Sequence, residues 1–286
     1  MIAFRNLRNR ILAGSAGILL AVAGAYAYPT VVQLGMTILK PGVQPGYVIF
    51  GGPDGNAYAI GTKGDVARKW SSPVPDTEFG YARPLANGNL LAQIRLKQSG
   101  PGAPAAGAES VIEMNQDGRL LWRYADKERT LHHDQERMAN GNTLIVCSKE
   151  LNIPAISKRT LTDDCLIEVD ASGKVVWEWQ TADHFAEFEL PSEVKAEIFN
   201  TYGNNRARTG TGAPPVTRGF DWAHMNGASP IPESAGHSDP RFKPGNVIVS
   251  FAARPQPRLV GKQEASLRVL DIDVFGDGVY DRAQQH

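Results

Sequence analysis

IEVDASGKVVWEW (Ile167–Trp179) decides how this chain is read. Apolar and polar residues alternate up to Val169, an Asp-Ala-Ser-Gly turn follows, and alternation resumes towards a tryptophan, which is a β-hairpin pattern. Ile167, Val169, Val175 and Trp177 are expected on one face of the pleat. The same line recurs as YAIGTKGDVARKW (Tyr58–Trp70) and IEMNQDGRLLWRY (Ile112–Tyr124), and a fourth copy, LDIDVFGDGVYDR, starts at Leu270. Gly64, Gly118 and Gly173 fall at intervals of 54 and 55 residues. A second line follows each of the first three: LANGNLLAQI from Leu85, MANGNTLIVC from Met138 and KPGNVIVSF from Lys243, each a strand entered through an Asn-Gly or Pro-Gly turn.

Four short antiparallel strands in a unit of about fifty residues predict an all-β chain, a β-propeller of four-stranded blades. Trp70, Trp122 and Trp177 are expected to pack between neighbouring blades. About three and a half units fit into the 286 residues, fewer than closure needs. Blades missing from this chain are the preferred explanation over strands lent by another chain, since an open propeller leaves its edges unpaired. The third unit is longer than the others. Within the insertion at about 183–220, LPSEVKAEIFNTYG reads as a helix with Ser192 as N-cap and Gly203 as stop, and a Pro/Ser/Gly-rich stretch occupies 229–243. Long insertions in a repeat gather on one rim, often the binding rim.

A net charge of zero and 42% apolar residues exclude a basic nucleic-acid-binding surface and an acidic tail. Residues 1–28 differ. Arg5, Arg8 and Arg10 precede the apolar run Ile11–Ala25, and Ala25-Tyr26-Ala27 is a small-x-small exit. The segment is either a cleaved secretory signal or an N-terminal membrane anchor. Both place the propeller domain, 29–286, outside the cytoplasm, whether periplasmic, secreted or anchored. Cys147 and Cys165, the only cysteines, end one strand and begin the next. They either bridge in an oxidising compartment or serve as small apolar fillers. No Cys-x2-Cys or Cys/His cluster points to a metal, and no cofactor is implied.

Two of the six histidine sites occupy corresponding places in the repeat. His132 and His133 stand in LHHDQERMANGN, between one hairpin and the next Asn-Gly strand, and His224 stands in DWAHMNGAS. The first unit has FGYARPLANGN there, with Tyr81. Equivalent positions of successive blades ring the propeller axis, so an imidazole from each of two adjacent blades aims at one channel mouth. Asp134, Asp221 and Asn226 are candidate orienting partners.

LHHDQERMANGNTLIV, DCLIEVDASGKVVWEW, and DWAHMN followed by GNVIVSFAAR resemble the bacterial arylsulfate sulfotransferases, periplasmic six-bladed propellers. The resemblance runs from about Gly46 to Ser250. It implies transfer of a sulfuryl group from an aryl sulfate to a phenolic acceptor, without a nucleotide donor, through active-site histidines, with His133 and His224 binding or polarising the sulfate. The chemistry suits the residues: sulfuryl transfer places negative charge on three oxygens, an imidazole can act as nucleophile, and an aryl group needs an apolar slot. Trp222 and Phe220 are candidates for that slot, and His132, Asp134, Asp221 and Asn226 for substrate binding. The family's arginine two residues after the Ser of the G-N strand is Ala252 here, so Arg254 takes that role. The family's nucleophilic histidine belongs to a later blade than this chain contains.

Other signals carry less. Asp271–Gly278 resembles a calcium loop, but Phe275 stands where an oxygen ligand belongs. Thr209–Gly212 lacks a phosphate-loop lysine, and Ser250 lacks a G-x-S-x-G frame. Asp163 and Asp164 read as solvated turn residues. The reading is therefore an exported arylsulfotransferase-type propeller acting on small aryl sulfates and phenols. The alternative is a non-catalytic propeller that binds ligands or partner proteins through its inserted rim.

Overall fold

The computed structural model describes residues 40–97, 108–200, 219–233, 242–252, 254–261, 266–269, 272–273 and 280–281, with side chains as far as Ala252. The signal or anchor at 1–28, Gly203, Thr209–Gly212, residues 234–241 of the second insertion, the Gly276 turn, His237 and His286 lie outside the described residues. No helix among the described residues is long and apolar enough to cross a membrane. The chain divides into two compact units, 1–48 with 60–67 and 49–59 with 68–286. All site residues belong to the second.

The strands form antiparallel sheets in chain order. The first sheet runs β1 (Tyr47–Gly51), β2 (Ala57–Gly61), β3 (Val66–Trp70). The second runs β4 (Thr77–Pro84), β5 (Leu90–Leu96), β6 (Ser110–Met114), β7 (Leu120–Tyr124). The third runs β8 (Thr130–Arg137), β9 (Thr143–Leu151), β10 (Leu161–Val169), β11 (Val175–Gln180). A 3-10 helix (Thr181–Phe188) and α1 (Ser192–Asn200) follow, and β12 (Phe220–Asp221) then joins β10 in parallel. The fourth sheet runs β13 (Met225–Pro230), β14 (Val247–Phe251), β15 (Arg254–Gly261), β16 (Ser266–Val269). A last pair, β17 (Ile272–Asp273) and β18 (Tyr280–Asp281), is the hairpin expected from the fourth copy of the repeat. The described residues are all-β apart from the two helical segments in the third-unit insertion.

Each four-stranded sheet begins with the strand ahead of the Asn-Gly or Pro-Gly turn. The repeat quoted first therefore supplies the third and fourth strands of the second and third sheets, whereas its first copy gives β2 and β3 and its fourth copy the separate pair β17 and β18. Its turns are built alike. In the Asp170–Gly173 turn the Gly173 N–H bonds Asp170 O at 3.0 Å and Asp170 Oδ1 accepts from the Lys174 N–H at 2.9 Å, with Gly173 at φ 86°. A bulge follows the turn at Val176: Val169 pairs with Val175, but Glu168 pairs with Trp177. The bulge separates Val175 and Trp177, which were expected on one face. Val175 packs with Ile167 and Val169, whereas Trp177 turns to the cluster of Leu166 and Trp179. The fully packed aromatics are Trp70, Tyr124 and Trp179, each six residues after its turn glycine, while Trp122 and Trp177 are only partly buried.

Successive sheets of the second unit bury three cores between them. Alternate residues of β9 serve two at once, Leu144 and Val146 facing one side and Ile145 and Cys147 the other, which is why TLIVC is continuously apolar. Cys147 and Cys165 are direct cross-strand partners and are bridged. Both strands run well past them, so the cysteines lie mid-strand rather than at strand ends. Ser192 is the first residue of α1, not a cap ahead of it.

Candidate functional site

The edge strands that begin the sheets are bulged where the motifs fall. In β4, Phe79 pairs with Ile94 and Ala82 with Ala92, so Gly80 and Tyr81 stand opposite Gln93 alone. In β8, Leu131 pairs with Cys147 and Gln135 with Ile145, so His132, His133 and Asp134 face only Val146. The H-H-D motif is thus a bulge, a device that re-aims side chains out of a sheet. His133 and His224 both have φ 55°, a left-handed conformation uncommon for residues with a Cβ and concentrated at functional sites.

These bends bring the two imidazoles together. His133 Nε2 lies 3.1 Å from His224 Nε2, and His224 Nδ1 lies 2.6 Å from Asp221 Oδ2. The carboxylate accepts the Nδ1 proton, which leaves a lone pair on His224 Nε2 to receive the N–H of His133. Burial, followed by the charges of His132 and His224, holds the His133 pKa below the usual imidazole value, against the opposing pull of Asp164 and Asp221. The Ala252 N–H bonds His224 O at 2.7 Å, so the β14–β15 turn fixes the backbone beneath that ring.

Beneath the pair lie two carboxylates in a different role from the solvated turn expected. Asp163 and Asp164 lie inside β10, at 0% and 2% exposure. Asp164 Oδ2 accepts the Met225 N–H at 2.7 Å. Its Oδ1 is 3.0 Å from His132 Nε2, an electrostatic contact out of line for a hydrogen bond, since that nitrogen has no hydrogen-bond partner. Asp163 accepts from Trp222 Nε1 at 2.6 Å, the Ala182 N–H at 2.9 Å and Gln180 Nε2 at 2.7 Å. The pair grips the chain on both sides of His224. Burial raises the Asp163 pKa to about 6, with three donors opposing and Asp164 adding to the rise.

Four residues expected to line the site are placed elsewhere. Trp222 is buried at 2% exposure, edge-on to Phe185 and Phe188, and Phe220 packs on the same core, so neither lines an aryl slot. The indole needs Asp163 as acceptor, which pulls it inward. Asp134 turns from the imidazoles to Arg83 Nη2 at 3.1 Å and to the Gln135 and Ala228 N–H groups. The residue after a positive-φ position no longer follows strand alternation, so Asp134 joins sheets instead of orienting His133. Asn226 is the exposed extra residue of the β13 bulge and does not line the cleft. Arg254 opens β15, paired with Phe251.

His132, His133, His224, Asp164 and Asp221 line a cleft of about 890 Å³, together with Tyr81, Gln93 and Arg95. Sequence reading missed Asp163, Asp164 and Gln93. The one signal for Gln93 was a polar residue interrupting the apolar run LLAQI.

The family model Arylsulfotransferase (ASST) matches residues 52–235, which include every histidine of the cleft. No curated protein matches the chain. Among solved structures, a protein of unknown function from Bacteroides caccae matches at 12% identity and a TM-score of 0.41, over 78% of this chain and 57% of that one. The family match extends over well more than half of the sequence, and the chain belongs to the arylsulfotransferase family.

Proposed function

We propose that this protein binds an aryl sulfate at the His133–His224 pair and takes part in transferring its sulfuryl group to a phenol. The observation that carries the reading is the Asp221–His224–His133 chain, with its 2.6 Å and 3.1 Å links, at the wall of the cleft. As the oxygen of the acceptor phenol bonds to sulfur and the bond from sulfur to the aryl oxygen breaks, His224 Nε2, backed by Asp221, takes the phenol's proton and passes it to the departing aryl oxygen. His133 offers an N–H to the sulfuryl oxygens, on which charge accumulates in the transition state. The resemblance assigns Arg254 to those oxygens as well. The repeat and the face-to-face sheets support a propeller, six-bladed by resemblance, and the bridged cysteines support an extracytoplasmic setting.

The test is release of p-nitrophenol from p-nitrophenyl sulfate, with and without added phenol. Phenol-dependent release, reduced at least about a hundredfold in His224→Ala and by a smaller factor in Asp221→Asn, is expected. A folded protein that releases nothing overturns the catalytic reading and leaves the ligand-binding propeller.

A further inference from the structure

The geometry points to Gln93 and Arg95 as a second subsite of the cleft that recognises a carboxylate on the phenolic ring. This inference rests on the proposed aryl-sulfate reading and names the class of phenol.

Gln93 and Arg95 are two residues apart on β5 and share a face. Ala92 and Ile94 face the core behind, while the Gln93 face is the one Leu91 presents towards the third sheet. Gln93 is 5% exposed, lines the cleft, and its Nε2 has no hydrogen-bond partner. A buried donor left unpaired is destabilising, a penalty that an apolar residue at the same position does not carry. The bulge of β4 produces this vacancy. Gly80 and Tyr81 loop past Gln93, so the strand that would pair beside it is bent away. Gly51 lies close enough to Gly80 that a Cβ on it would meet Gly80 O at 2.5 Å. Backbone thus closes one side of the recess, and side chains are kept out of it.

Arg95 adds a cation. Its Nε bonds Glu78 Oε1 at 2.7 Å, and its terminal nitrogens bond nothing else among the described residues. One amide donor and one guanidinium edge on the same strand face match the two oxygens of a carboxylate. The imidazoles line the same cleft, so a hydroxybenzoate-type ring would direct its phenolic oxygen to the transfer centre and its carboxylate to Gln93 and Arg95. Phenols whose far substituent is apolar would leave both donors unsatisfied.

The experiment is calorimetric binding of 4-hydroxybenzoate and of 4-isopropylphenol, which matches its shape without an acceptor. Wild type, Gln93→Leu, Arg95→Gln and His224→Ala are compared, with thermal unfolding of each. Wild type should bind the benzoate at least about tenfold more tightly than the isopropyl compound. Gln93→Leu and Arg95→Gln should lose that preference, while His224→Ala keeps it. Gln93→Leu should unfold at the same or a higher temperature than wild type, the reverse of what a structural glutamine would give. Equal affinity for the two phenols in wild type, or a preference that survives Gln93→Leu, overturns the inference. Because binding is read without turnover, failure of p-nitrophenyl sulfate cleavage would count against the transfer reading alone.

Discussion

Asp163 is the least comfortable residue in the molecule and the most informative. It is fully buried, yet three N–H groups converge on its carboxylate. Desolvation raises its folded pKa to about 6, whereas the unfolded chain titrates at the ordinary 3.8. Between those values the native state holds a proton that the unfolded state has lost, so stability grows as pH falls through 6 and the penalty is complete above it. Lowering pH from about 7 to about 5 should therefore add about 1 kcal/mol, read by urea unfolding, unless other groups cancel it. Asp163→Asn should abolish that slope and lower stability by about 2 kcal/mol, because one acceptor oxygen becomes a donor facing other donors. A slope unchanged in the variant would assign it to another group. His133 offers the opposite sign. Its pKa lies below the usual imidazole range, with His132 the second cause after burial. The native state should therefore lose stability as pH falls through the ordinary imidazole range, and His132→Ala should lessen that loss in urea unfolding.

Strand bulges and their glycines turn this fold into a site. Gly173 has φ 86° and nothing within 4 Å of an added Cβ, so a substitution there meets only the backbone penalty. Gly173→Ala should cost about 1 kcal/mol and Gly173→Asn less, since asparagine tolerates the left-handed region, as chemical denaturation would show. Gly219 is different in kind. A Cβ on it would meet Leu161 C and Thr162 N, both at 2.5 Å, where β12 meets β10. Because β12 carries Asp221, Gly219→Ala should impair transfer by displacing the carboxylate behind His224, while Gly173→Ala should leave transfer intact. The turn glycines were legible from their spacing, and the H-H-D and D-W-x-H segments were legible from their place in the repeat. The bulges were not. Nothing in TLHHDQER announces that three residues will face Val146, and without that bend Asp134 looks like a partner for its neighbour His133. Asp163 and Asp164 were unreadable for a related reason. Aspartate is depleted in strands, so LTDD reads as a turn. What permits it in β10 is a set of donors from residues 180–182 and 222–225, far along the chain.

Among the described residues of the second unit, buried cores join successive sheets, and the imidazole pair is assembled from β8 of one sheet and the start of another. The period of this arrangement stood in the sequence, but its phase did not. A repeat has no intrinsic beginning, and only the pairing shows that the second and third sheets start with the bulged strand and end with the glycine hairpin. Placing the bulged strand first puts the motif histidines at the boundary between sheets, where small relative shifts open or close a 3.1 Å contact. The Cys147–Cys165 bridge resists such shifts. It crosses β9 and β10 in the middle of the third sheet, with Cys147 also paired to Leu131, next to His132, and Cys165 adjoining Asp164. The bridge closes a segment with a sequence separation of 18, for which constraint of the unfolded chain contributes about 3 kcal/mol. Cys147→Ser with Cys165→Ser, or reduction of the wild type, should lower stability by about that amount. Binding of an aryl sulfate should weaken as His132 and Asp164 lose their common support. The variant and the reduced protein must agree, since both remove the same bond. If neither shifts the urea midpoint, the staple contributes nothing, and the register of the third sheet rests on its apolar faces alone.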